Sequence, residues 1–134
     1  MDLASLDTAD VANEGVAMPV HGPDGQPVLQ EDGAAVTITL LGDDSDELVK
    51  FDRQLVNRSL RGGQPITAEL AEAKEISRLA RATVGWSGIV LDGEVLKFSE
   101  ENAKKLYKRL RWLRQQVRVF VADRANFMKA SPES

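Results

Sequence analysis

The chain has 134 residues, no cysteine, a single histidine and a net charge of −4. Such a length suits one domain with a modest core, and the absence of cysteine excludes disulfides, thiol nucleophiles and cysteine-ligated metals. The charge is divided along the chain: residues 1–50 hold 11 acids against one Lys, whereas residues 51–134 hold 10 acids and 16 bases.

That division leaves two readings open. The acidic first part and the basic remainder either attract each other within the fold or face separate partners. A lone histidine argues against a zinc hydrolase. No stretch approaches the roughly 20 apolar residues of a membrane span, and the acidic N-terminus lacks the basic-then-apolar pattern of a signal peptide. The expectation is a soluble cytosolic protein. Its core must rest on Leu, Val, Ile and Ala, since only two Trp, one Tyr and four Phe are present.

In chain order, MDLASLDTADVANEG is either a short helix, capped by Asp2 or Ser5 and stopped by Gly15, or an acidic arm (1–15) that orders on a partner. The single domain is placed at 16–130, beginning with a β element over 16–41. Turn signals GPDG (22–25) and EDG (31–33) punctuate short extended runs. Val36, Ile38 and Leu40 alternate with Thr37 and Thr39, which predicts a strand. Its partner is Val16–Val20 or Pro27–Leu29, and Pro19 and Pro27 place that partner at an edge.

The helical part runs over 44–130. In DDSDELVKFDRQLVNRSLRGG, Asp44 or Ser45 caps a helix with Leu48, Phe51, Leu55 and the pair Val56/Leu60 at helical spacing, and Gly62-Gly63 stops it. Thr67 caps a second helix over 67–84, with Leu70, Ala73, Ile76, Leu79/Ala80 and Thr83 as its stripe and Gly85 as its stop. Asp92-Gly93 predicts a tight hairpin within 89–98. Ser99 then caps a C-terminal helix with Leu106, Tyr107, Leu110, Leu113, Val117, Phe120 and Val121 as its apolar seam. On one straight helix Trp112 points away from that seam. A break near Arg109–Arg111 turns it inward, and a broken helix pair is the expectation. Residues 131–134 read as a frayed tail. The fold class is therefore α+β, mostly α-helical.

The chemistry-bearing patterns are weak. Gly85-Trp86-Ser87-Gly88 is one residue short of a nucleophile elbow and runs from helix to hairpin, the wrong direction; His21, the one available base, reads as a solvent-facing hairpin residue. Counting from Asp43, a calcium loop needs Gly at its sixth position and Glu at its twelfth, where Leu48 and Gln54 stand. Neither GQP (63–65) nor the scattered glycines match a phosphate loop. No cofactor, metal or catalytic set is expected. Lys104, Lys108, Arg111, Arg114 and Arg118 form a basic stripe beside Tyr107 and Trp112, which reads as a solvated or protein-facing surface before it reads as a nucleic-acid site. Trp86, Ile89, Leu91, Tyr107, Trp112, Val117, Phe120 and Phe127 are the candidate core or partner-binding residues, without division between the two.

The segments DTADVANEG, VTITLLGDDSDEL, ATVGWSGIVLDGEVLKFSEENAKKLY and WLRQQVRVFVADRANFM together resemble a group of small proteins from the tail gene clusters of tailed bacteriophages and prophages. The features carrying the resemblance are the LLG strand end before DSDE, the W-x-G-[IV] step before a D-G hairpin, the FS-x-EN helix start, the Trp-Leu-Arg-Gln run and the terminal DRANF. One departure precedes Trp112, where that group tends to have a helix-breaking residue and this chain has Leu110-Arg111. The resemblance implies a non-enzymatic tail assembly chaperone that binds the tape measure protein and recruits tail tube subunits in the host cytoplasm, with some self-association. The alternative it leaves open is a structural component of the virion, in tail or capsid; a nucleic-acid-binding protein using the 104–118 helix is a third.

Overall fold

The computed structural model describes residues 2–62 and 67–129. It is an α+β fold, mostly helical, with a three-stranded antiparallel sheet and a separate two-stranded hairpin. The elements are α1 (Ala9–Glu14), β1 (Val16–Pro19), β2 (Thr37–Leu40), α2 (Asp46–Gly62), α3 (Ala68–Ala82), β3 (Thr83–Ser87), β4 (Val90–Leu91), β5 (Glu94–Val95), α4 (Glu100–Arg109) and α5 (Arg111–Ala122), with 3₁₀ turns at Leu3–Leu6 and Arg124–Phe127.

The alternating run at 36–40 is the centre of the sheet. Val36, Ile38 and Leu40 are buried while Thr37 and Thr39 are half-buried on the other face, as a period of two requires. Both candidate partners contact this region. β1 pairs with β2 through Val16↔Leu40 to Pro19↔Thr37. Residues 20–36 fold back beside it, with Val20, Val28 and Val36 linked in a ring of backbone hydrogen bonds of 2.9–3.0 Å. β1, with its proline, is an edge strand as expected.

The third strand corrects the sequence reading. The second middle helix ends at Ala82, and Thr83–Ser87 leaves it as β3, paired with β2 through Ile38↔Trp86 and Thr37↔Ser87. Gly85 therefore lies inside a strand and is no helix stop. Thr and Val at 83–84 and Trp86 are strand formers, and the central strand β2 offers them a free edge that outweighs one more turn of helix.

Ser45 is the cap of α2: its buried hydroxyl accepts from the Leu48 amide at 3.3 Å. Asp44 does other work, described below. Gly62 closes α2, while Gly63 and the tail at 131–134 lie outside the described residues. Thr67 and Ser99 cap α3 and α4 as predicted, each accepting from the amide three residues on at 3.1 and 3.0 Å. Asp92 and Gly93 have φ of 54° and 81° and form the hairpin turn between β4 and β5.

The C-terminal seam is a broken pair. Leu110, at φ −105° and ψ 90°, separates α4 from α5 without a proline or glycine. Its amide still donates to Leu106 O at 2.9 Å and its carbonyl accepts from Arg114 at 3.0 Å, so Leu110 itself keeps both of its helical hydrogen bonds. Residues 3–14 form a 3₁₀ turn and α1, which inserts Ala12 into the fold. A side chain on Gly42 would stand 3.0 Å from both Ala12 Cβ and the Phe127 ring; glycine there lets α1 and the DRANF turn close on the end of β2 together.

Candidate interaction surfaces

The eight apolar candidates divide cleanly. Tyr107, Val117 and Phe127 are fully buried. Phe120 is half-buried and meets Phe127 edge-on at 5.7 Å. Trp86 sits on the sheet's inner face opposite Ile38, half-buried, rather than between the second middle helix and the C-terminal seam. Its indole N–H donates to Leu96 O at 2.8 Å and its ring meets Phe98 edge-on at 5.1 Å. It is the bolt that ties the hairpin segment to the sheet.

Ile89, Leu91 and Trp112 belong to a different place. They line an open groove of about 940 Å³ between the 20–36 loop, the β4–β5 hairpin and the α4–α5 junction. The break at Leu110 swings Trp112 toward the core and makes it a groove wall. Sequence reasoning missed the opposite wall, Val28 and Leu29, because that loop reaches the groove only through the long-range hydrogen bonds of Val28. Gly88, at the groove floor, has φ +84°, and a side chain there would meet Gln30 at 2.5 Å. The groove's charged lining is Glu31 and Asp32.

Two of the five residues of the basic stripe are committed within the fold. Arg114, with a side chain only 13% exposed, bonds Glu72 at 3.2 Å, and Arg118 bonds Glu75 at 3.0 Å, so α5 is strapped to α3. Arg109 makes a bidentate pair with Asp92, at 2.6 and 2.8 Å, locking α4 to the hairpin turn; the pair holds the Asp92 carboxyl below its usual range. Lys108 and Arg111 are exposed and Lys104 is half-buried.

The DDSDE acids are structural too. Asp43 and Asp52 both hold Arg78, at 3.0 and 2.8 Å. Asp44 accepts two hydrogen bonds from Arg124 and one from Thr8, which lower its pKa in that order of importance. Among the described residues no cluster of His, Asp and Glu is placed to hold a metal, and no helix is long and apolar enough to cross a membrane.

His21 and Ser87 have separate hydrogen-bond partners. His21 is half-buried rather than solvent-facing, and the Gln116 side-chain amide clamps its backbone, accepting from its N–H at 3.0 Å and donating to its C=O at 3.1 Å. Ser87 ends β3, and its hydroxyl accepts a 3.3 Å hydrogen bond from Gln30. Among the described residues, Thr83 and Tyr107 form the buried side-chain polar pair, their oxygens 2.6 Å apart. Burial pushes the Tyr107 hydroxyl up to about 12, against a smaller lowering from Thr83.

Compared with protein-family models, curated proteins and solved structures, the chain has no significant match in any of the three.

Proposed function

We propose that this chain is a non-enzymatic assembly factor of phage tail morphogenesis, acting in the host cytoplasm on the tape measure protein and the tail tube subunits. The observation that carries the reading is the open apolar groove walled by Leu29, Ile89, Leu91 and Trp112. An apolar groove between a hairpin and a helix junction is the kind of surface that takes the apolar face of a helix, and a tape measure protein is a long helical client. The role itself comes from the tail-cluster resemblance of the sequence segments quoted above. The ion pairs weigh against a phosphate-binding row, because Arg109, Arg114 and Arg118 are engaged with the hairpin turn and α3.

Co-expression with the tape measure protein tests the proposal. A soluble complex that survives purification at low salt is the expected result; failure to co-purify overturns it. A virion structural role is the second reading, favoured by the edge strand β1, which can accept a neighbouring strand. Mass spectrometry of purified particles separates the two, since an assembly factor is scarce in them and a structural component stoichiometric.

A further inference from the structure

Two of the apolar surfaces that the described fold leaves open share no residue. One is the groove. The other is the outer stripe of α2, which the sequence reading had merged with its inner face. At 100° per residue, Val49, Arg53, Val56 and Leu60 fall within about 60° of one another. They point outward: Val49 is 36% exposed, Val56 58% and Leu60 81%. Leu48 is buried and Phe51 and Leu55 are half-buried on the inner face, so α2 already has its internal packing, and among the described residues this second apolar row stays exposed.

The two surfaces are complementary in charge. The stripe carries Arg53 at its centre and Lys50 at its flank, both exposed. The groove mouth carries Glu31 and Asp32, also exposed. None of these four makes an ion pair among the described residues. From Val49 to Leu60 the stripe runs about 16 Å along the helix axis, long enough to lay more than two turns into a groove.

We propose that the outer stripe of α2 docks in the groove of a second copy of this chain. Val56 and Leu60 meet Leu29, Leu91 and Trp112, while Lys50 and Arg53 face Glu31 and Asp32. Each copy offers one donor and one acceptor surface, so two copies can exchange both contacts in a two-fold dimer, whereas a one-way contact closes into a ring or continues as a filament. This rests on the groove as a helix acceptor and names its partner, but not on the phage role.

The purified full chain is examined alone, by sedimentation velocity over a concentration and salt series. Dimers or larger species are expected to grow with concentration and to recede as salt screens the pairs. Val56→Asp removes the stripe and Leu29→Asp the groove wall. Both positions are solvent-facing, and circular dichroism confirms that each variant folds. Each is expected to weaken self-association by at least about tenfold. Mixed in equal amounts, the two variants should form a 1:1 complex, since each retains the surface the other lacks. A wild-type chain that stays monomeric throughout overturns the proposal, even if it co-purifies with the tape measure protein. So does a mixture that stays monomeric, or a Leu29→Asp chain that associates like wild type while Val56→Asp does not, which would mean stripe on stripe. A chain that self-associates but ignores the tape measure protein leaves this inference standing and sinks the client reading.

Discussion

Thr83 and Tyr107 form a hydrogen-bond relay with one direction. The Thr83 hydroxyl has a single hydrogen, and Leu79 O, 2.8 Å away, can only accept it. The Tyr107 hydroxyl must therefore donate to Thr83 across 2.6 Å. Removing either member has unequal consequences. Thr83→Val strands a buried donor on Tyr107 and is expected to cost about 1–3 kcal/mol, whereas Tyr107→Phe removes the donor itself and costs about 1 kcal/mol. Urea melts of both variants and the double variant check the order; a less damaging Thr83→Val would contradict this direction. The same burial sets a pH limit. The folded pKa of Tyr107, about 12, lies above its ordinary value near 10. Its contribution is therefore complete below about pH 10 and is lost as pH rises toward 12, by about 2–3 kcal/mol. The alkaline decline should be shallower in Tyr107→Phe.

At the scale of elements, β3 and the hairpin depend on Trp86 more than on any turn residue. The indole buries its ring on the sheet, caps Leu96 O and stacks edge-on with Phe98. Trp86→Ala is expected to cost about 3 kcal/mol, the lower end for a large aromatic because the ring is half-buried. It should also loosen the groove, visible as faster amide exchange in residues 89–98 than elsewhere. Ser87→Ala, next in sequence, loses one exposed acceptor at 3.3 Å and should lie within about 0.5 kcal/mol of wild type. A large effect at Ser87 and a small one at Trp86 would reverse the assignment of architecture to one and surface to the other.

For the whole molecule, part of the divided charge is used in internal attraction. Acids of the first fifty residues meet bases from the rest: Asp10 with Lys129, Asp43 with Arg78, Asp44 with Arg124 and Glu47 with Arg81. Most of these are exposed and individually weak. Arg78 differs, because its side chain is 24% exposed and serves two carboxylates on separate segments. Arg78→Met leaves Asp43 and Asp52 close together without their cation and is expected to cost about 1–2 kcal/mol. The deficit should shrink in high salt, and thermal melts with and without about 0.5 M salt measure it. Acid acts in the same direction at Asp44. Its folded pKa is depressed by Arg124 and Thr8, so its stabilising share is present above the ordinary carboxylate range and disappears as pH falls through it.

Local chemistry made much of this fold legible. Ser45, Thr67 and Ser99 are caps because a short side-chain oxygen satisfies an amide that the helix cannot. Asp92-Gly93 is a hairpin turn because both positions need positive φ, and the Val36–Leu40 alternation is a half-buried strand because side chains alternate across a sheet. The misplacement of Trp112 on a straight helix was itself the signal of the break at Leu110. What the sequence could not supply was contact between distant segments. Thr83–Ser87 becomes a strand only because β2 presents an edge to it, and Trp86 acquires its role from Leu96 and Phe98. The groove exists only where the 20–36 loop, the hairpin and the α4–α5 junction converge. Nor could periodicity alone say which of the apolar rows on α2 faces inward. Caps, turns and alternation are set within a few residues, whereas a groove and an unpartnered stripe are properties of which surfaces the rest of the chain has already covered.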